Sequence, residues 1–191
     1  MKAMTIARFM LALTRDAGWE KMDQLKLNKL LYLAQGRALA QTGKPLFDDP
    51  IVAFKNGPVV MEVEEHYRGT RGGIDSTDNL DDIAVDDERA SVIIDVLSDY
   101  KDRTAIGLTR LVHKPDNPWA YAYAQGNCTT IKRDDIKDFY SEQYKNTPSL
   151  SSLIEQMAGV EIPVEVNEAG HIVLPASERE NDEYDMLEET C

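Results

Sequence analysis

The sequence has little cysteine and no long apolar run. Its 191 residues include two cysteines, Cys128 and Cys191, too few for the disulfide framework of a small secreted domain. No apolar segment approaches the roughly 20 residues that span a bilayer. Residues 1–5 lead directly into an amphipathic pattern and lack the apolar core of a secretory signal. These absences predict a cytoplasmic protein with no membrane partner.

Recognisable catalytic and cofactor motifs are also missing. The sequence contains no Walker loop, no GxGxxG after a strand, no HExxH and no GxSxG. His66, His113 and His171 lie far apart, and none has a second ligand at zinc-finger spacing. A nucleophilic pair of Cys128 with His113 is conceivable, but no acid, base or metal partner supports it. The sequence therefore predicts no catalytic residue, no metal, no cofactor and no enzymatic activity.

Positive charge is scarce and unevenly distributed. The net charge is −13, with 34 Asp and Glu against 21 Lys and Arg. Residues 1–60 have nine basic and five acidic residues, whereas residues 61–191 have twelve basic and 29 acidic residues. Such acidity repels a phosphate backbone at long range, which disfavours direct nucleic-acid binding and steers the chain toward a basic partner. One functional alternative is therefore an acidic phage-type regulator or inhibitor that mimics nucleic acid or blocks a basic groove.

Apolar spacing predicts a mainly α fold. The apolar face of a first helix ends at Gly18, and a second helix runs from an N-cap at Asp23 to Gly43. Four later helices are predicted from the same spacing and from capping residues, near Asp86, Thr104, Asn117 and Ile136. Together with a short strand or hairpin element, they predict a compact multi-helix domain over residues 1–145.

The segment between the second and fourth helices breaks this pattern. Residues 51–54 predict a short strand, and Asn56 followed by Gly57 favours a turn with positive φ. A third helix is predicted to start at Pro58, because proline fits the first turn of a helix. Residues 69–89 are rich in glycine and acidic side chains and have few apolar anchors. That composition predicts a solvated, mobile loop.

The last residues, 146–191, are predicted to form a separate C-terminal appendage. A capping box indicates a short helix over residues 149–158. Alternating apolar residues over 162–174, interrupted by a turn, predict a β-hairpin. Residues 178–190 are acidic and nearly free of apolar side chains. The appendage is therefore predicted to contribute to partner specificity rather than to the core of the first domain.

Two places carry residues that suit partner recognition. The stretch from His113 to Trp119 would place a large aromatic side chain beside an imidazole. Either His113 is a structural group at a helix C-terminus, or the two residues lie at a partner groove, where tryptophan is a favoured anchor. The rigid turn at Gly57 and Pro58 is likewise either purely structural or part of a recognition surface next to Phe54. The sequence leaves both alternatives open.

Several stretches resemble, in the same order, the motifs of one protein family. They are LNKLLYLAQG at 27–36, GKPLFDDPIVAF at 43–54, GPVV at 57–60 and LVHKPDNPW at 111–119. Together they resemble the Panacea-domain, SocA-like antitoxin family over roughly residues 4–145. The chain departs from the family pattern at Phe54, which replaces a tryptophan, and at Asn56, which replaces an aromatic residue.

The resemblance implies a function. Similar proteins are antitoxins of two-gene toxin–antitoxin pairs, often carried by phages or prophages, and one branch presents its toxin to a bacterial AAA+ protease. It therefore implies a non-enzymatic protein that neutralises a cognate toxin by direct binding, with a AAA+ protease as a further partner if this chain is similar to the adaptor branch. The candidate partner-binding residues in the motif stretches are Tyr32, Gln35, Phe54, Asn56, Gly57, Pro58, Val59, His113 and Trp119.

Overall fold

The computed structural model describes residues 1–70, 72–145, 147–148, 165–166 and 172–173. The chain divides into two units, Met1–Glu155 and Gln156–Cys191. The predicted division after residue 145 stays a prediction. Among the described residues, none of the helices combines the length and the apolar character of a membrane span.

Two helices begin the first unit, as the apolar spacing predicts. Helix α1 is Ala3–Asp16 and helix α2 is Gln24–Thr42. The predicted N-cap of α2 is confirmed, because the Asp23 side chain accepts a hydrogen bond from the Lys26 backbone N–H at 2.7 Å. Every residue of α2 from Lys26 to Leu39 is buried. Helix α2 is therefore the central helix around which the other elements of this unit pack.

A β-hairpin follows α2 and confirms the predicted strand and turn. Strands β1, Ile51–Phe54, and β2, Gly57–Val60, pair antiparallel with Phe54 opposite Gly57. A short strand β3, Thr129–Thr130, pairs with the other side of β1, which gives the order β2-β1-β3. The φ of Gly57 is 108°, a conformation that residues with a Cβ rarely adopt. The turn therefore requires glycine at this position.

The third helix starts later than predicted. Pro58 lies in β2 opposite Ala53, and helix α3 is Met61–His66. The prediction of a helix from Pro58 is therefore wrong. Strand β2 is at the edge of its sheet, and an edge strand tolerates proline because the side that faces away from the sheet needs no N–H. Proline is compatible with a first helical turn and with an edge strand, and pairing with β1 decided between them.

The acidic segment after α3 is fastened to the first unit. Ile74 and Ile83 are buried in its core. One guanidinium nitrogen of Arg15, on α1, donates to the carbonyls of Ser76 and Asp78 at 3.0 and 2.7 Å. The predicted solvated loop is therefore confirmed in part: many of its residues are exposed, but Ile74 and Ile83 reach the core and a cation of α1 binds its backbone.

Four further helices complete the described part of the first unit. They are α4, Asp87–Tyr100; α5, Ala105–Val112; α6, Pro118–Gln125; and α7, Arg133–Tyr144. The first three begin at predicted N-caps whose side-chain oxygens accept a backbone N–H, namely Asp86, Thr104 and Asn117. The sequence therefore predicted these helix starts correctly, since capping is a local property of a few consecutive residues.

Helices α2 and α7 approach each other closely at a glycine. A Cβ built on Gly36 would lie 2.3 Å from the Tyr140 ring, so the ring occupies space that only glycine leaves free. Tyr140 also meets the ring of Tyr32 edge-on, with the ring centroids 5.7 Å apart and the planes at 74°. This contact fixes Tyr32 between α2 and α7.

In the second unit the structure describes two short strands. Strands β4, Glu165–Val166, and β5, Ile172–Val173, pair antiparallel, with Val166 opposite Ile172. They confirm the centre of the predicted hairpin. The helix predicted over 149–158 and the acidic tail predicted over 178–190 lie outside the described residues.

Candidate partner-binding surface

Helix α2 contacts the β-hairpin through two buried polar side chains. Asn28 Oδ1 accepts a hydrogen bond from the Val60 N–H at 3.0 Å, and Lys29 Nζ donates to the Pro58 carbonyl at 3.1 Å. Lys29 is fully buried, and a Cβ added to Gly57 would lie 2.5 Å from its Cε. Gly57 is thus required both by its positive φ and by the close approach of the lysine stem.

Tyr32 connects the same helix to the start of α6. Its hydroxyl donates to Asn117 Oδ1 at 2.8 Å, and the same oxygen accepts the backbone N–H of Trp119 at 3.0 Å. All three residues are buried, so the hydrogen bonds are shielded from competition with water. One buried amide oxygen therefore fixes both the tyrosine and the first turn of α6, which sets the position of Trp119.

Three rings stack at this end of the unit. The His113 and Trp119 rings lie 3.8 Å apart with an interplanar angle of 7°, and Trp119 and Tyr123 lie 5.1 Å apart at 12°. Trp119 Nε1 donates to the Phe54 carbonyl at 2.9 Å, which joins the stack to the end of β1. We call the surface formed by Phe54, Asn56, His113, Trp119 and Tyr123 the hairpin–stack surface.

Two titratable groups lie beneath and within this surface. Burial lowers the pKa of Lys29 from 10.5 to about 8, although the charges of Glu64 and Asp23 partly oppose the shift. Burial and the nearby charge of Lys29 also lower the pKa of His113, against an opposing interaction with the Asn56 backbone. At neutral pH the surface therefore combines a neutral imidazole with a buried ammonium group beneath it.

Seven predicted partner residues lie at the β1–β2 turn, in β2 or in the stack. Asn56 is exposed, Phe54 and His113 are half-buried, and Trp119 is 7% exposed. The tertiary structure brings Phe54 to Trp119 although the two residues are 65 positions apart. Gly57 and the two following residues, Pro58 and Val59, are buried and form the strand behind the turn.

The other two predicted partner residues are buried. Tyr32 is 0% exposed and Gln35 is 2% exposed. Gln35 Oε1 accepts the Leu46 N–H at 2.8 Å, and its Nε2 donates to the Phe47 carbonyl at 3.0 Å. The prediction of partner contact is therefore corrected for both residues. Their polar groups are bound inside the unit, where they hold the chain that leads to the hairpin and the start of α6.

Sequence reasoning missed Lys29, Asn117 and Tyr123. A signal for Lys29 was present, because it is the one charged residue of the largely apolar LNKLLYLAQG motif, and a buried lysine needs a specific partner. Tyr123 follows Trp119 by one helical turn, a spacing that places both rings on one face of α6. The sequence predicts Asn117 only as an N-cap. Its second hydrogen bond, which it accepts from Tyr32, depends on a distant part of the chain.

The two residues considered for catalysis, Cys128 and His113, have different surroundings. Cys128 is exposed, and its Sγ accepts a hydrogen bond from Asn127 Nδ2 at 3.3 Å. The His113 ring is held in the stack by Trp119. Within the described ranges, no group of three or more His, Cys, Asp or Glu side chains is arranged to hold a metal ion. The prediction that the chain has no enzymatic activity stays a prediction.

The fold and the surface define a mainly helical protein whose motif residues assemble a fixed aromatic contact surface on a small hairpin. Residues 27–120 match the family described as "Antitoxin SocA-like, Panacea domain". The chain therefore carries the Panacea domain of this family, and the resemblance that its motifs indicate is confirmed. The family description gives the domain an antitoxin-like role. Searches of curated proteins and of solved structures each found no match.

Proposed function

We propose that this protein is an antitoxin that neutralises a cognate toxin by direct contact through the hairpin–stack surface. The observation that carries the proposal is the hydrogen bond from Trp119 to the Phe54 carbonyl at 2.9 Å, which locks the three stacked rings onto the hairpin. The whole assembly, apart from Tyr123, lies inside the segment that matches the antitoxin family. Tryptophan and tyrosine are also the residues most enriched among interface anchors.

A surface held in this way is suited to tight binding. Ordering loops and side chains on association costs free energy, and a surface that is already ordered avoids much of that cost. Here Lys29 binds the β2 backbone, Tyr32 and Asn117 fix the first turn of α6, and Trp119 binds the end of β1. The buried motif residues thus serve function indirectly, because they hold the contact residues in place.

We also propose that neutralisation is stoichiometric and involves no catalysis by this chain. The imidazole of His113 is committed to the stack, and the Cys128 thiol contacts its own neighbour, Asn127. Cys128→Ala should therefore neutralise as well as wild type in growth rescue at matched expression. If a correctly folded, partner-binding Cys128→Ala protein fails to rescue growth, the non-catalytic proposal is wrong.

The alternative of a nucleic-acid mimic receives less support from the described carboxylates. A mimic needs an array of free acidic groups, whereas many of these carboxylates are used inside the fold. Asp23 and Asp86 cap helices, Asp49 accepts the Ala3 N–H, and Asp78 pairs with Arg8. The salt dependence of binding separates the two functions, because the Debye length falls from about 10 Å at 0.1 M to about 3 Å at 1 M salt. The aromatic part of an antitoxin contact should persist at about 1 M salt, whereas a contact made by carboxylates alone should be lost.

The decisive experiment is the expression of the neighbouring reading frame. It is expressed from an inducible promoter, alone and together with this chain. We expect growth arrest when it is expressed alone, growth in the presence of this chain, and co-purification of the two proteins. If no adjacent gene product is both toxic and bound by this chain, the antitoxin proposal fails.

A matched pair of variants tests the surface itself. Tyr123→Ala removes the outer ring of the stack, whereas Tyr67→Ala removes a half-buried tyrosine at the end of α3, outside the surface. Tyr123→Ala should weaken toxin binding at least about tenfold, as truncation of an interface anchor does, and Tyr67→Ala should leave it within about twofold. Equal affinities of the two variants in calorimetry would remove the stack from the interface.

Presentation of the bound toxin to a AAA+ protease is a narrower proposal that rests on the family resemblance alone. The toxin half-life in cells, measured with and without this chain and with and without the protease, tests it. A half-life that this chain shortens only when the protease is present supports the proposal. Neutralisation with an unchanged toxin half-life contradicts it and leaves direct binding intact.

A further inference from the structure

Three exposed cations lie close in sequence to residues of the hairpin–stack surface. Lys55 precedes Asn56 in the β1–β2 turn, Lys114 follows His113, and Arg110 lies one helical turn before them on α5. Lys55, Arg110 and Lys114 are all exposed, and none makes an ion pair or a side-chain hydrogen bond with another residue in the described part of the chain. Their charges are therefore available to a binding partner.

A fourth cation lies beneath the same surface. Lys29 is fully buried, and its hydrogen-bond acceptor is the neutral carbonyl of Pro58 rather than a carboxylate. The carboxylate of Glu64, which acts on Lys29 through space, is itself hydrogen-bonded to Asn28 at 3.0 Å. In a low-dielectric interior such a charge is poorly screened, so it adds to the positive potential above the turn. Asp116, in the loop between α5 and α6, is the exposed acidic residue nearest in sequence.

Most other cations of the described residues form ion pairs. Arg8 binds Asp78, Arg37 binds Asp95 and Asp99, and Lys44 binds Glu88. The hairpin–stack surface thus has unpaired cations on a chain whose net charge is −13. Because charges are screened beyond a Debye length of about 8 Å in physiological salt, these local cations, and not the distant acidic residues, decide which chemistry the surface accepts.

We propose that the hairpin–stack surface binds an acidic segment of the partner protein, whose carboxylates pair with Lys55, Arg110 and Lys114 while an apolar side chain covers the stacked rings. The inference rests on the proposed antitoxin function and adds the chemistry of the partner. It is opposite to the basic partner that the net charge predicts. Charge complementarity at the contact steers the encounter and rejects partners of the wrong sign.

Peptide titrations of the full chain test the sign of the partner. Hexaglutamate, hexalysine and a ten-nucleotide oligothymidylate are added separately at low salt, and backbone amide shifts are recorded by NMR. We expect hexaglutamate to shift the amides around Asn56 and His113, and hexalysine to leave them unchanged. Preferential shifts by hexalysine would overturn the proposal. Tighter binding of the oligonucleotide than of hexaglutamate would also overturn it, in favour of a nucleic-acid contact.

Two triple variants with the same change of net charge locate the effect. The first reverses the surface cations through Lys55→Glu, Arg110→Glu and Lys114→Glu. The second reverses three exposed cations that also lack side-chain partners among the described residues but lie after α3, at the N-cap of α7 and on α7, through Arg68→Glu, Lys132→Glu and Lys137→Glu. The first variant should bind hexaglutamate about tenfold or more weakly, and the second within about twofold of wild type. Equal losses would mean that only the net charge matters, which overturns the proposal.

The toxin assay separates this inference from the proposed function. If the surface variant loses neutralisation while the control variant retains it, and both keep the wild-type melting temperature, the acidic-segment proposal is supported. If both variants neutralise fully, the toxin contact does not use these cations, and the inference fails while the antitoxin function stands. If no toxic neighbour is neutralised even by wild type, the antitoxin function itself fails, and the peptide titration still decides the sign of the surface.

Discussion

Two of the three buried cations of helix α2, Arg37 and Lys29, have very different surroundings. Arg37 is 4% exposed and contacts the carboxylates of Asp95 at 2.8 Å and Asp99 at 2.6 Å, and its guanidinium lies 5.1 Å from the Tyr144 ring centroid. Lys29 is 0% exposed and donates to a neutral carbonyl. Arg37 is therefore compensated by carboxylates in direct contact, whereas Lys29 is compensated only in part and from a distance.

The difference separates a stabilising residue from one whose presence stability does not explain. Arg37 joins α2 to α4 through its ion pairs and to α7 through Tyr144. Burial of an ammonium group against a single neutral acceptor costs free energy that one hydrogen bond does not offset. Lys29 lies directly beneath the hairpin–stack surface, where a positive charge serves the proposed partner contact. Substitutions of Arg37 and Lys29 therefore test this division of roles.

The largest effect is expected at Arg37. Arg37→Met leaves Asp95, 9% exposed, without its cation, and removing one member of a buried ion pair costs about 3–5 kcal/mol. Urea unfolding followed by circular dichroism measures the loss. The double variant Arg37→Met/Asp95→Leu should recover part of it, because the buried carboxylate that Arg37 compensates is then removed as well. A single variant as stable as wild type would show that this ion pair does not hold α2 to α4.

The next effect is a pH dependence that belongs to Lys29. Its pKa falls from 10.5 in the unfolded chain to about 8 in the folded protein. Between these values the unfolded chain binds more protons, so stability should rise with pH from about 8 to 10.5, by roughly 3 kcal/mol at most. Lys29→Met should abolish this rise. Above pH 10 the raised pKa of the Tyr32 phenol works in the opposite direction, but it acts equally in both proteins.

Denaturant titrations at several pH values give the wild-type minus Lys29→Met difference. This difference isolates Lys29 from the tyrosines that titrate in the same range. Arg37→Met serves as the second reference. The Arg37 guanidinium stays protonated throughout the window, so its removal should leave the rise of stability with pH as it is in wild type. A wild-type curve parallel to that of Lys29→Met from about pH 8 to 10.5 would show that Lys29 is not held in the buried, proton-releasing environment described above.

A smaller effect is expected at the stack. Trp119→Phe keeps an aromatic ring but removes the hydrogen bond to the Phe54 carbonyl. Loss of that bond and of part of the ring area should cost about 1–3 kcal/mol. Tyr121→Phe, on the same helix but 61% exposed, should change the unfolding free energy by less than about 0.5 kcal/mol. Similar values for the two variants, measured by thermal unfolding, would show that the stack does not stabilise the hairpin.

The smallest effect is expected for Lys29→Met at pH 7, and it completes the comparison. The variant loses the bond to Pro58 but no longer buries a charge, so its stability should lie within about 1 kcal/mol of wild type. Binding of the toxin should nonetheless weaken, because the positive potential beneath the turn is lost. A loss of stability as large as that of Arg37→Met would make Lys29 a structural cation and remove the functional argument for it.

The local parts of this structure could be predicted from the sequence. A few consecutive residues determine where four helices start, because an N-cap acts on backbone groups two or three positions away. The N-caps are Asp23, Asp86, Thr104 and Asn117. The turn after Phe54 follows in the same way from Asn-Gly chemistry. The motif stretches also indicated the correct family. The start of α3 was not predictable at this level, since Pro58 fits a helix and an edge strand equally well.

Only the tertiary structure decided which motif residues are buried and which reach the hairpin–stack surface. Tyr32 and Asn117 are 85 residues apart and Lys29 and Pro58 are 29 apart, so no local pattern shows that they bond. Within the motif helix, the sequence determined that Asn28, Lys29, Tyr32 and Gln35 are present. Their burial depends on how α2 is covered by the hairpin, α6 and α7. The proposed assignment of partner contact depends on the same packing, and it falls to Phe54, Asn56, His113, Trp119 and Tyr123. Burial is a property of the packed chain, because it is set by contacts between residues distant in sequence.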